Sequence, residues 1–267
     1  FCRRLNQRTY AKESARVFSL ISMVMLMAPL IAPSLGSIVL GLFHWEAIFI
    51  ILGLYAFFAM WLYTFRFPSL KKEKTKATPL KNYASVLSHK QAMIFIIAQT
   101  LCTSGMYTYI TSSSFIYMEH FHVNPSSFAI FFGANVLMMM LFGRVNARLV
   151  RRFEPLSLLR FGTAMQTLCA LALFIVHKEA SIYLIFPLIG LYVGMLGFIY
   201  SNSVALALEF FPSISASANA IIGVLQYSIG ALMSFIASSL HDGTLLPIVG
   251  VMSIVSIVGS GVLMVGT

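Results

Sequence analysis

Apolar runs about as long as a bilayer is thick recur along this chain from one end to the other, and they limit its folding more than any other feature. About 20 residues at a rise of 1.5 Å each cross roughly 30 Å of hydrocarbon. Eight such runs can be read, at about 17–42, 45–66, 92–117, 127–149, 157–177, 180–207, 215–240 and 245–266. With 59% hydrophobic and 10% charged residues, the chain is too apolar for a soluble domain of 267 residues. Hydrocarbon offers the backbone no hydrogen-bond partners, so each run must satisfy its own as a helix, and the expected class is an all-α polytopic membrane protein.

The charges set the expected orientation. Arg3, Arg4, Arg8, Lys12 and Arg16 precede the first run, and Arg66, Lys71, Lys72, Lys74, Lys76, Lys81 and Lys90 separate the second from the third. Arg144, Arg148, Arg151, Arg152 and Arg160 surround the turn between the fourth and fifth. The alternate loops carry Glu46, Glu119, Glu179 and Asp242 with the single lysine Lys178. The basic side is expected to be cytoplasmic, with both chain ends on that side of the membrane. The net charge of +10 is then topology, and no nucleic-acid partner is expected.

Cys2, Cys102 and Cys169 are isolated and form no disulfide or metal pattern. No Ser-His-Asp set, phosphate loop or paired carboxylates suggest an enzyme, and a chain of this size has no room for the nucleotide-binding domain of an ATP-driven pump. "EHFH", at 119–122, resembles a metal motif only superficially. Two histidines at i and i+2 do not share a helical face and no fourth ligand is near, so no metal is expected.

The polar, lysine-rich stretch at 67–90 reads as a cytoplasmic linker. Residues 1–66 then form the end of an N-terminal half, with two spans, and 91–267 a six-span C-terminal half. The chain begins at Phe1 and is expected to be a fragment, with about four helices, on the order of 120 residues, upstream.

Within the first run, "MAPLIAPSLG" places Ala28, Ala32 and Gly36 at i, i+4 and i+8, a stripe of small residues that lets another helix come close. Pro29 and Pro33 lie beside it and predict a bent span whose freed backbone groups are satisfied by neighbouring helices and waters. A generic packing face accounts for the stripe equally well.

Polar residues deep in apolar spans are costly unless they face protein or a water-filled cavity. Gln99, Thr103 and Tyr107 recur at i, i+4 and i+8 on one helical face. Asn135, Gln166, Ser201, Asn202, Gln226 and Tyr227 lie within later spans. Gln99, Thr103, Tyr107, Asn135, Asn202, Gln226 and Tyr227 are the candidates for a substrate cavity. Interhelical hydrogen bonds, at about 0.6–2 kcal/mol each, are the alternative role for any one of them.

"MAPLIAPSLGSIVLGLFHWEAIFIILG" resembles the proline-bearing fifth helix of major facilitator drug:proton antiporters of the bicyclomycin/chloramphenicol-resistance (Bcr/CflA) group. "KESARVFSL", "SSSFIYMEHFHVNPSSFAIFFGANVL", "NARLVRRFEPLSLLRFG" and "NSVALALEFFPSISASANAIIGVLQYSIGAL" continue the likeness in family order. It implies a major facilitator fold, with the spans here equivalent to helices 5–12 of twelve. It also implies that Ala28, Pro29, Ala32, Pro33 and Gly36 form the antiporter motif at the interface between halves, opposing proton leak. Gly143, Arg148, Arg151 and Arg152 match the cytoplasmic loop motif, with Ala147 where that motif has an acid; a positive-inside anchor explains the arginines as well. Glu119 matches an acid at the outer end of its helix, suited to capping or gating the mouth.

The resemblance further implies secondary active efflux of drugs or amphipathic small molecules by alternating access. The proton gradient would supply the energy with no cofactor, the coupling acid would lie in the upstream helices, and the full-length protein would be a monomer. A proton-coupled or facilitative importer of a small nutrient and a non-transporting remnant stand as alternatives.

Overall fold

The computed structural model describes residues 35–36, 38–66, 79–178 and 181–267. The chain divides into two units, Phe1–Ala77 and Thr78–Thr267. In the first, residues 38–42 are helical and a short turn leads into α1 (Glu46–Arg66). Glu46 in the opening turn suits the positive end of the helix dipole, and Trp45 sets its ring edge-on to Phe49 at 5.9 Å. Of the proline-bearing stripe, Ala28, Pro29, Ala32 and Pro33 lie outside the described residues, and Gly36 belongs to a helical stretch.

The second unit opens with a short helix, α2 (Pro79–Ser88), inside the segment expected to be a linker. Pro79 begins it, where a missing N–H costs nothing, and Val86 is fully buried, so the helix docks on apolar contacts that the lysine-rich sequence around it masks. His89 ends the link and caps the next helix, its Nδ1 accepting from the Ala92 backbone N–H at 3.2 Å.

That next helix is α3 (Lys90–Ser114), extended by a π-helical turn at Phe115–His120. It is followed by α4 (Pro125–Leu149), α5 (Pro155–Val176), α6 (Ile182–Gly194), α7 (Leu196–Glu209), α8 (Ser215–Ser239) and α9 (Leu246–Gly266). Asn124 caps α4, accepting from the Ser127 N–H at 2.8 Å, and proline stands at the start of both α4 and α5. The run expected at about 180–207 is a single crossing of 28 residues, Ile182–Glu209, interrupted at Met195. Pro187 within α6 removes one backbone donor upstream of that interruption.

Seven described helical stretches are long and apolar enough to cross a membrane, one in the first unit and six in the second. In the second unit α3 is the hub, packing against α7, α8 and α9. α5 packs on α6, α7 and α9, while α4 packs on α6 and α7. One apolar cluster joins Phe95, Ile96, Leu159, Phe198 and Ile222 toward the α3 N-terminus. A second joins Tyr109, Tyr117, Leu173, Ile185 and Met252 toward its C-terminus. Asp, Glu, Lys and Arg occur only near the ends of the described helices of this unit, so its middle is neutral.

Candidate functional site

The polar face of α3 meets α8. Gln99 is fully buried, and its Nε2 donates to Gln226 Oε1 at 3.0 Å. Gln226 Nε2 donates in turn to the Tyr107 hydroxyl at 3.2 Å. The Tyr107 ring tilts against that of Tyr227 with centroids 5.7 Å apart, and Tyr227 is 65% exposed.

A glycine makes the arrangement possible. Gly230 lies one turn beyond Gln226, and a Cβ there would fall 2.5 Å from Tyr107 Cδ2. Only a bare Cα lets the Tyr107 ring come this close to α8 with its hydroxyl reaching the Gln226 amide. The inner end of the chain is incomplete, because Gln99 Oε1 is buried without a hydrogen-bond partner among the described residues. Thr103 shares the helical face but turns back on its own helix, its hydroxyl donating to the Gln99 carbonyl at 2.7 Å.

Asn135 lies elsewhere. Its Nδ2 donates to the Tyr109 hydroxyl at 2.8 Å and to the Tyr117 hydroxyl at 2.9 Å, joining the middle of α4 to the end of α3 and its π-helical turn. Beside it an open apolar groove of about 460 Å³ runs between α4 and α6, walled by Leu137, Met138, Phe186 and Pro187. Asn202 forms a third cluster, its Nδ2 donating to Asn146 Oδ1 at 2.7 Å while Asn146 Nδ2 donates to the Ser201 hydroxyl at 2.9 Å. The seven candidates therefore divide among three places. Gln99, Tyr107, Gln226 and Tyr227 come together, Thr103 lies between two of them without joining, and Asn135 and Asn202 each belong to a separate cluster.

Of the loop-motif residues, Gly143 packs against Gly197 at the crossing of α4 and α7, Arg148 closes α4, and Arg151 and Arg152 sit exposed in the turn that follows. Sequence reasoning missed Tyr109, Tyr117 and Asn146 as members of polar clusters and Gly230 as a seat for Tyr107. Tyr109 follows Tyr107 by two residues and so faces another way on the helix, which hides it from a search along the Gln99 face. Gln166 spans two helices, its Nε2 within 3.3 Å of the Cys102 carbonyl and 3.4 Å of the Tyr192 carbonyl.

These features define an all-helical, multi-pass membrane protein in which the buried polar residues, among those described, are neutral amides and hydroxyls gathered between spans. The chain belongs to the Major Facilitator Superfamily, a family of transporters, whose model matches residues 4–238. It is similar to a bicyclomycin resistance protein homolog of Haemophilus influenzae, with 28% identity over 88% of this chain and 61% of that protein. It is also similar to an uncharacterized MFS-type transporter, YdgK, of Bacillus subtilis, with 26% identity over 93% of this chain and 64% of that one. The chain thus spans less than two thirds of the length of either relative.

Proposed function

We propose that this chain works as part of a drug:proton antiporter, exporting amphipathic small molecules across the bacterial inner membrane by alternating access, with both chain ends cytoplasmic. The chain of buried amides and hydroxyl running from Gln99 through Gln226 to Tyr107 carries this reading. It places neutral hydrogen-bonding groups deep in otherwise apolar spans and continues them outward through Tyr227, which suits a substrate wall for uncharged or weakly polar compounds. Asn135 and Asn202 stand in the proposal as flanking groups rather than as parts of that wall. The likeness to a bicyclomycin resistance protein homolog supports drugs as cargo. The proton gradient is the energy source, no cofactor is required, and the working unit is a monomer.

The test uses the full-length transporter in proteoliposomes under an imposed pH gradient. Drug movement opposite to protons, reduced about tenfold by Gln226→Ala, is the expected result. Movement of substrate together with protons would establish an importer instead. Unchanged transport of every compound in Gln226→Ala would remove the cluster from the site.

A further inference from the structure

We propose that the Gln99–Gln226–Tyr107 chain is a hydrogen-bond relay of reversible polarity, which lets one site accept ligands that offer a hydrogen-bond acceptor as readily as ligands that offer a donor. The proposal rests on the reading of this cluster as the substrate wall and adds what the wall selects.

In the arrangement observed, Gln99 Nε2 donates to Gln226 Oε1, and Gln226 Nε2 donates to the Tyr107 oxygen. A hydroxyl that has accepted in this way has its own proton left to give, so the outward end of the chain is a donor. An amide keeps its shape when its oxygen and nitrogen exchange places by rotation. If both amides turn over together, Gln226 Nε2 donates to Gln99 Oε1 and Tyr107 donates to Gln226 Oε1. Both hydrogen bonds survive with their directions reversed, and the Tyr107 oxygen then offers a lone pair outward.

The inner end is what makes the turn feasible. Gln99 Oε1 is fully buried with no hydrogen-bond partner among the described residues, so no bond there has to be broken. Rotation exchanges one unmatched atom for another, an acceptor for an amino group, at the same buried place. No ionised group stands at this depth among the described residues, so no fixed charge locks the relay in one direction. The half-buried Tyr107, tilted against the exposed Tyr227, is where a ligand reads the outcome. A buried amide pair ending in such a hydroxyl gives a transporter tolerance of varied cargo without any helix having to move.

The full-length transporter in lipid nanodiscs tests this with two flat, fluorescent aromatic probes. Acetylnaphthalene can only accept a hydrogen bond, and carbazole can only donate one. The wild type is expected to bind both with dissociation constants within about tenfold of each other, and Gln226→Leu to weaken both. Gln99→Lys is the discriminating variant. A group at 99 that can only donate gives its hydrogen bond to Gln226 Oε1, which fixes the Gln226 amino group toward Tyr107. Tyr107 is then fixed as an outward donor, so acetylnaphthalene binding persists while carbazole binding falls about tenfold.

A second readout does not depend on that variant folding. The phenol C–O stretch of isotope-labelled tyrosine responds in opposite senses to donating and accepting. The Tyr107 band, identified by its loss in Tyr107→Phe, is expected to shift in the same sense with either probe, because in both polarities that hydroxyl gives one hydrogen bond and accepts one, whereas a relay that could not reverse would leave it accepting twice, from carbazole and from Gln226. Binding of only one probe by the wild type, equal weakening of both by Gln99→Lys, or opposite shifts of the Tyr107 band would overturn the relay while leaving the substrate wall in place. Unchanged binding of both probes in Gln226→Leu would remove the wall itself.

Discussion

Asn202 Nδ2 donates to Asn146 Oδ1 at 2.7 Å across the crossing at which Gly197 of α7 lies against Gly143 of α4. The glycines and the amides depend on each other. A Cβ on Gly197 would fall 2.9 Å from the Gly143 Cα and 2.9 Å from the Met139 carbonyl, and backbone atoms cannot step aside. Without side chains at the crossing the helices approach closely enough for the asparagines to pair. Gly197→Ala should therefore force α4 and α7 apart and cost about 1–3 kcal/mol, read as a lowered melting temperature of the purified protein. In that background Asn146→Ala should cost almost nothing further, because its partner is already out of reach.

A similar close approach seats Tyr107. In Gly230→Ala the new methyl meets the Tyr107 ring, which must swing off α8 and release the Gln226 amide. The expected outcome is normal membrane expression with weakened substrate binding, matched by Tyr107→Phe. Binding unaltered in Gly230→Ala would show that the Tyr107 ring does not need this seat.

Asn135 holds two tyrosines at once. Replacing it with leucine removes the amide donor that the Tyr109 and Tyr117 hydroxyls share in an apolar cluster, at a cost of about 1–3 kcal/mol. The triple variant Asn135→Leu with Tyr109→Phe and Tyr117→Phe should recover most of that loss, since removing all the partners leaves no polar group unmatched. A triple variant less stable than the single one would contradict the assignment.

In the loop between α8 and α9, the Thr244 backbone N–H donates to Asp242 Oδ1 at 2.9 Å and the Thr244 hydroxyl at 2.6 Å. These bonds favour the charged form, so the Asp242 carboxyl titrates below the ordinary aspartate range. A carboxyl depressed in the folded state contributes stability above its unfolded pKa and loses it as pH falls through the folded value. Thr244→Val should raise the Asp242 pKa toward the ordinary value of about 3.9, measurable by carboxyl carbon NMR. Asp242 lies exposed on this loop and its contribution is small, so stability near neutral pH should hardly change.

The division between local and distant information is clear in particular elements. The runs at about 127–149, 157–177 and 215–240 correspond to α4, α5 and α8, because composition over about 20 residues is all that a hydrocarbon crossing demands. α2 was hidden because the lysine-rich sequence around it masks the apolar contacts that dock it. The interruption at Met195 was hidden because hydropathy does not register a break within a run of even apolarity. At the candidate site, helical periodicity alone placed Gln99, Thr103 and Tyr107 on one face. It could not show that Thr103 would satisfy itself on its own helix while Gln99 would reach a residue 127 positions away.

What the sequence determined by itself is the membrane-spanning class of the chain, the approximate place of the seven described spans and the family to which it belongs, all of which follow from local composition and motif order. Which buried amide meets which hydroxyl was decided by tertiary structure alone. Those pairings depend on how closely and at what rotation two helices cross, and that is set by small residues such as Gly197 and Gly230 acting on partners far away in the chain.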